Sequence, residues 1–564
     1  MNECDIVIVG GGAAGSVLAA RLSENPHTRI VLLEAGADIV PGGEPADVTS
    51  LFPLSTFNEA YMWPKLHVHW LRADNSPAVH MAQAKVLGGG STIMGMWAMR
   101  GMPSDYDEWE AAGATGWSWQ HVLPYFRRLE TDVDFGGMPL HGQSGPVPIR
   151  RMPYADWPPF AKAVAAVSAR RGTAFVEDMN GDFGDGHCTL ALSRYERSRA
   201  SAGICYLDRE TRARANLTIR TETVVRRLLV EGGRIAGVVL AGPDGTEGNL
   251  RSSHTVLAAG ALATPVLLMR SGLGPGAMLG AAGVQIIVDL PGVGQNLQTH
   301  PIVLPLAWLN RAGRTTGQAD RPPSSTFLRW SSGLEGCPPG DMSIYVRAFV
   351  TWHALGRRLA MLAPVLGRPL SRGSVTLRGR DPDAAPIIAF DLLSDERDLL
   401  RMMQGFRRAA AIYAAPELRA MCGPAFVLEN AVQLSRYNRI TPANRLLTAA
   451  AASLLDAAPG PGRKLLGTIA DMRPLEDFVH DDAALADYLR SRIFGTYHVA
   501  GTCRMGAAGD PMAVTNTRGR VRGIADLSIA DTSLMPVVPA GNTHIPAVMV
   551  AERIAEYIKA ELGA

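Results

Sequence analysis

Cysteine is scarce: only Cys4, Cys188, Cys205, Cys337, Cys422 and Cys503 occur in 564 residues, far apart and never as CxxC. That excludes a disulfide scaffold and leaves no structural zinc pattern. Lysine is scarcer still, with Lys65, Lys85, Lys162, Lys464 and Lys559 the whole complement. Arginine makes up the rest of 55 basic side chains against 53 acidic ones, and a formal charge of +2 gives no electrostatic grip on nucleic acid. No run approaches the roughly 18 apolar residues of a membrane span. The nearest, 446–458, is short, rich in alanine and broken by Asp456. A strand starts at Asp5, which leaves no room for a secretory leader and sets the expectation of a soluble, cytoplasmic protein. No GxSxG elbow is present, so serine hydrolysis has no support. With 47% apolar residues the chain can bury a large core, and its length points to two domains or one large interleaved unit.

The residues at the start carry the first positive signal. The β-branched run 6–9 reads as a strand buried on both faces of a parallel sheet. It ends in Gly10-Gly-Gly12-Ala-Ala-Gly15, after which Ala14, Val17, Leu18 and Leu22 recur at helical spacing, closed by Asn25-Pro26. A second strand, 29–33, finishes on Glu34. In this pattern Gly10 and Gly12 permit a tight turn and close approach to a pyrophosphate, while Gly15 lets helix and strand pack. Glu34 is placed to accept hydrogen bonds from an adenosine ribose, which favours NAD or FAD over NADP. Periodicity does not choose between those two.

Further along, 84–93 forms a second glycine-rich turn (Gly88, Gly89, Gly90, Ser91), another place where backbone N–H groups can meet phosphate oxygens or a flat ring. A third punctuated element, 260–274, follows the apolar strand 255–258. Near the end, Tyr497-His498-Val-Ala-Gly501-Thr-Cys503-Arg-Met-Gly506 precedes Asp531-Thr-Ser-Leu-Met-Pro536, and Gly541-Asn-Thr543-His544-Ile-Pro546 opens a last helix.

Together these segments resemble the glucose–methanol–choline (GMC) family of FAD-dependent oxidoreductases, from residue 5 to about 558. The stretches 291–297 and 141–146 agree with it. The "DYDEW" and "LPYF" stretches (105–109 and 123–126) are similar to bacterial alcohol oxidases of the 5-hydroxymethylfurfural oxidase type. The resemblance implies an α/β fold: a discontinuous, Rossmann-like FAD-binding domain (1–152, 199–301 and 490–564) and a substrate domain on an antiparallel sheet (153–198 and 302–489). It implies that Gly10, Gly12 and Gly15 hold the FAD pyrophosphate and Glu34 the ribose. Gly88, Gly89, Gly90 and Ser91 would line the phosphate and flavin side, and Val224 would meet the adenine. Asp531 would approach the pyrophosphate or ribityl chain, and the helix beginning near Thr543 would point its positive end at the flavin. His498 and His544 match the catalytic pair, His498 as base and His544 orienting the substrate oxygen. An alcohol is a very weak acid, so a positioned imidazole suits removal of its proton as hydride moves to flavin. Trp352, Leu366 and Tyr497 are the expected walls of an apolar pocket.

The implied activity is FAD-dependent oxidation of a primary alcohol, aromatic or furanic among the candidates, with oxygen or another electron acceptor. Two other readings stay open: a flavin-dependent lyase or photodecarboxylase on the same fold, and a binding protein that holds FAD without turnover. Departures from the family pattern are Met94 for a usual asparagine, Thr299 for a common aspartate before His300, and Ile93 where some members carry a flavin-linked histidine. The last sets the expectation of non-covalent FAD. His300 is expected to play a structural or supporting part, and Cys503 to be a buried inert thiol. His67-Val-His69 reads as a surface strand, and no metal is expected. The stretch 428–471 looks like a helical insertion: a surface feature, an apolar lid, a contact in a homodimer or a peripheral membrane patch. The chain is expected to be a monomer or a homodimer.

Overall fold

A computed structural model describes residues 3–242, 245–315, 321–381, 383–429 and 434–563. The first strand, Glu3–Val9, lies between Ile30–Leu33 and Glu247–Leu257 in a seven-stranded sheet, with Leu217–Arg220 at one edge. These four strands run parallel, with Ile6 opposite Ile30 and Val9 opposite both Leu33 and Leu257. The apolar run 6–9 is buried because helices or other layers cover both faces, as parallel sheets require. Beyond Glu247–Leu257 the sheet turns antiparallel through Arg234–Ala241 and Val224–Glu231. The late strand Leu527–Ile529 pairs in parallel with the end of Glu247–Leu257. Distant parts of the chain therefore build one sheet. The last helix, His544–Leu562, packs on the first, Ala13–Leu22. There Glu552, inside the interface, accepts from the Tyr206 hydroxyl at 2.7 Å and from Arg21 at 2.8 Å.

The second sheet has ten strands, antiparallel except where Phe175–Val176 joins Gly186–Thr189. At its centre Thr326–Trp330, Met342–Arg347 and Leu359–Leu366 are neighbours. Helix Glu396–Tyr413 covers one face: a Cβ on its Gly405 would lie 2.9 Å from Pro364 and 3.0 Å from Met342. Alternation along a strand then sends Ser343, Tyr345 and Arg347 to the opposite face.

The stretch 428–471 contains two helices, Pro442–Ala457 and Pro459–Ala470, while 430–433 lie outside the described residues. Pro459 opens the second helix at its first position, where a missing N–H costs nothing. Asp456 ties the hairpin down through Arg314 (2.5 Å) and Arg358 (2.6 Å). Its outer side shows Leu447, Leu465, Ile469 and, at 74% exposure, Leu446. No helix among the described residues is long and apolar enough to cross a membrane.

Candidate active site

The turn after the first strand is built for close approach. A Cβ on Gly15 would lie 1.8 Å from the Gly10 carbonyl oxygen, and Gly10 has φ +102°, so glycine is required at both. Gly12, which starts helix Ala13–Leu22, faces open space. The second glycine turn docks against it: Gly88 N–H donates to the Gly11 carbonyl at 2.7 Å, and a Cβ on Gly89 would reach 2.9 Å from Gly12 Cα. Gly90 has almost the same clearance as Gly12, whereas the Ser91 hydroxyl is used within the turn. It donates to the Gly88 carbonyl at 2.6 Å and accepts from Ala202 N–H at 3.0 Å. The pair of turns forms one cradle with room where side chains would stand and helix-start amides at hand, which fits the phosphates of a dinucleotide.

The acidic residues at the cradle's rim are held by backbone amides. Glu34 accepts from Gly11 N–H at 2.8 Å and Gly36 N–H at 2.7 Å, and burial raises its carboxyl against the pull of those amides. Two of its acceptor sites are therefore taken and others stay available to a ribose. Val224 begins its strand beside this point, because Thr223 N–H donates to the Glu34 carbonyl at 2.9 Å. Asp531 accepts from Gly260 N–H (2.9 Å), the Thr264 hydroxyl (2.6 Å) and Ser533 N–H (2.8 Å). It thereby joins the third punctuated element to the strand Leu527–Ile529 and, like Glu34, is raised by burial.

Three histidines converge on the chain's later loops. His300 Nε2 lies 3.0 Å from the Pro539 carbonyl, and its Nδ1 lies 2.9 Å from His498 Nδ1. The Thr496 hydroxyl is 2.8 Å from the same His498 nitrogen. Burial lowers His300 to about 4 and lowers His498 well below an ordinary imidazole, with His300 adding to the second effect. Both rings are therefore neutral near pH 7 and each carries one N–H. A carbonyl only accepts, so His300 holds its proton on Nε2 and presents a bare Nδ1. His498 must then donate from Nδ1, which leaves its Nε2 without a proton. His544 is the first residue of the last helix, and burial lowers it to about 4. Among the described residues its Nε2 is buried without a hydrogen-bond partner.

Sequence reasoning missed what holds these loops together. Asn296 and Gln298 side-chain N–H groups donate to the Pro536 carbonyl at 3.0 and 3.1 Å, and Val538 N–H returns a bond to Gln298 Oε1 at 3.1 Å. Asp105, in the "DYDEW" stretch, accepts from Met102 N–H and Ala540 N–H, each at 2.7 Å, and pairs with buried Arg368. Helix Pro103–Ala111 and the loop before His544 are thus fastened to one carboxylate. The buried acid between a helix start and a long loop was the available signal. Among the described residues Thr299 takes no part, its hydroxyl being buried without a partner, and the Pro539 carbonyl serves His300 instead.

The expected pocket walls separate. Tyr497, with φ +68°, is 38% exposed, and burial of its surroundings raises its phenol. Leu366 is the cross-strand partner of Met342 and lies on the face covered by helix Glu396–Tyr413, away from Tyr345. It is not on the histidine side because its strand position has the wrong parity. Trp352 donates its indole N–H to the Asn438 carbonyl at 2.7 Å and carries Arg445 over its ring, at the foot of the helical hairpin. Cys503 is buried and its thiol is pushed well up, as suits an inert position. His67 is exposed and pairs with His80 in a two-stranded ribbon.

A family model described as GMC oxidoreductase matches residues 4–302, and its C-terminal counterpart matches 369–551. The chain is 38% identical over 566 residues to 5-(hydroxymethyl)furfural oxidase of Methylovorus sp. (strain MP688), covering 98% of each. It is 30% identical over 584 residues to an oxygen-dependent choline dehydrogenase of Sinorhizobium medicae (strain WSM419), covering 99% of this chain and 95% of the other. The solved structure of pyridoxine 4-oxidase from Mesorbium loti superimposes with a TM-score of 0.80 at 28% identity, covering 98% of both. With the cradle, the histidines and these matches agreeing, the chain belongs to the GMC oxidoreductase family and is an FAD-dependent oxidoreductase.

Proposed function

We propose that this enzyme oxidises a ring-bearing primary alcohol to its aldehyde, with His498 as the base. The observation that carries the reading is the Pro539 carbonyl facing His300 Nε2, which through His300 leaves His498 Nε2 bare. The name of the 38% identical relative contains a hydroxymethyl-bearing furan, which supports that substrate class. The two glycine turns and Asp531 would hold FAD without a covalent bond, and the flavin would supply the two-electron hydride acceptor. His498 Nε2 takes the hydroxyl proton, and Thr496 and His300 keep the ring oriented as it becomes charged. His544 Nε2, with no other partner, hydrogen-bonds the carbinol oxygen and stabilises its developing negative charge. The start of helix His544–Leu562 adds a positive potential on the same side. Ile93, buried and without a nucleophilic atom, supports non-covalent attachment.

Anaerobic mixing with benzyl alcohol should bleach the flavin. His498→Ala should retain flavin but slow bleaching by about 10²- to 10⁴-fold. Bleaching at the wild-type rate would remove His498 from the base role. Acid precipitation should leave the flavin in the supernatant; flavin in the pellet would contradict the unlinked cofactor.

A further inference from the structure

Arg347 ends the central strand Met342–Arg347 of the second sheet, on the face turned away from helix Glu396–Tyr413. Its neighbours on either side reach the cofactor-side loops. The Tyr345 ring lies tilted against Trp97, 4.2 Å between centroids, and its hydroxyl donates to Asn542 Oδ1 at 3.3 Å, two residues before His544. Phe349 stacks at 5.5 Å on Phe52, whose loop is tied to Ile93 by the Ser55 hydroxyl at 3.3 Å. Arg347 thus lies in the chain between two aromatics, each of which contacts a loop near the candidate site.

This guanidinium has no counter-charge. Among the described residues it has no hydrogen bond and no carboxylate within ion-pair distance, and its Nε is buried without a partner. Other arginines here have counter-charges, even where their Nε is likewise buried without a partner, as in Arg100 and Arg368: Arg401 has Asp341 and Asp398, Arg368 has Asp105 and Glu108, and Arg100 has Glu130. Burial pushes the Arg347 guanidinium down with only Tyr345 to offset it. Just before the adjacent strand Thr326–Trp330, Ser325 also has a buried hydroxyl without a partner among the described residues. Arg347 is only partly exposed, and a guanidinium held largely out of water without a counter-charge is costly, a cost that the charge of a ligand would relieve.

Resting on the alcohol-oxidation reading, we propose that the substrate is an anionic primary alcohol whose carboxylate is bound by Arg347. Tyr345 and Arg347 are two strand positions apart, about 7 Å. That is roughly the reach of one aromatic ring carrying a hydroxymethyl group towards the histidines and a carboxylate at its far side. The planar guanidinium fork suits bidentate recognition of such a group.

The test uses flavin-loaded enzyme and two pairs of probes. Benzoate and benzamide are titrated by their perturbation of the flavin spectrum, and 4-(hydroxymethyl)benzoate and its amide are compared by anaerobic bleaching. Benzoate should bind about 10- to 100-fold more tightly than benzamide, the scale of a hydrogen-bonded charge pair. Arg347→Met should abolish that ratio and lower the acid-to-amide ratio of kcat/KM, chiefly through KM, whereas Arg347→Lys should restore part of it. Equal binding of benzoate and benzamide by the wild type, or an unchanged ratio in Arg347→Met, would overturn the proposal. If Arg347→Met does not fold, the wild-type ratio and Arg347→Lys decide. Preference for benzoate with no bleaching by any alcohol would leave the anion site standing and remove alcohol oxidation. Bleaching without preference would do the reverse.

Discussion

A proton can sit on only one nitrogen of each neutral ring, and that gives His300 a role it does not perform by touching substrate. His300→Ala removes the acceptor for His498 Nδ1–H, leaving the Thr496 hydroxyl, which can donate as well as accept. The ring orientation is then no longer unique, and kcat should fall about 10- to 100-fold with KM little changed. His300 also helps hold His498 below the ordinary 6.5. The wild type should therefore keep a flat kcat/KM profile to well below pH 6.5, and the acid limb of His300→Ala should move up towards that value. A variant that merely lost packing would shed flavin without shifting the limb. The motif-bearing histidines were legible in the sequence because each sits in a punctuated loop. His300 was visible only as a histidine with a missing aspartate, since its true partner is a backbone carbonyl. Nothing in residue identity encodes which carbonyl will arrive.

Among elements, the parallel strands and their glycine turns were the easiest to read. A β-branched run, a GxGxxG turn and an acid at the next strand's end obey one spacing rule. The second sheet was harder, because whether Leu366 or its neighbour faces the cleft depends on register, and one step reverses every side chain. The hairpin from 442 to 470 was readable as helical from its alanine and leucine spacing, but not its anchorage, which rests on Asp456 between Arg314 and Arg358. Those arginines lie 142 and 98 residues away in sequence. Asp456→Ala should loosen the hairpin without unseating the cofactor: limited proteolysis should cut within 434–470 several-fold faster, while flavin content stays constant. Equal protection of wild type and variant would show that packing alone holds it. Exchanging exposed Leu446 for serine should change stability by less than about 0.5 kcal/mol, as at other surface positions, measured by thermal melting.

At the scale of the whole molecule, a buried ionic cluster sets the response to pH. His141 Nδ1 is 3.0 Å from both Glu130 and Asp132, and its Nε2 is 2.8 Å from Asp178, with Arg151 2.9 Å from Asp132. Burial alone would lower His141, but Asp132, Asp178 and Glu130 overcome it and hold the ring at about 10. A raised folded value means that its stabilisation is complete below the unfolded 6.5 and disappears as pH rises through about 10. Asp132 has the opposite sign: despite burial, His141 and Arg151 lower it, so its contribution holds above 3.8 and fades as pH falls. The melting temperature should therefore be highest near pH 5 to 6.5 and decline towards about 10. His141→Gln should flatten the alkaline decline while lowering the whole curve, since breaking a buried network costs about 3–5 kcal/mol. An alkaline limb of unchanged slope would exclude His141 as its source.

The pairing of Leu527–Ile529 with Glu247–Leu257, and of the final helix with the first, has a consequence for biogenesis. A nascent polypeptide emerges from its amino end and can fold only what has been made. The yellow prosthetic group cannot be enclosed until the codons for the strand Leu527–Ile529 and the helix His544–Leu562 have been read, so its capture comes after most of this chain has been made. Cells short of riboflavin should then accumulate full-length, colourless enzyme that takes up FAD when it is added. A message truncated before codon 527 should yield a product that never does.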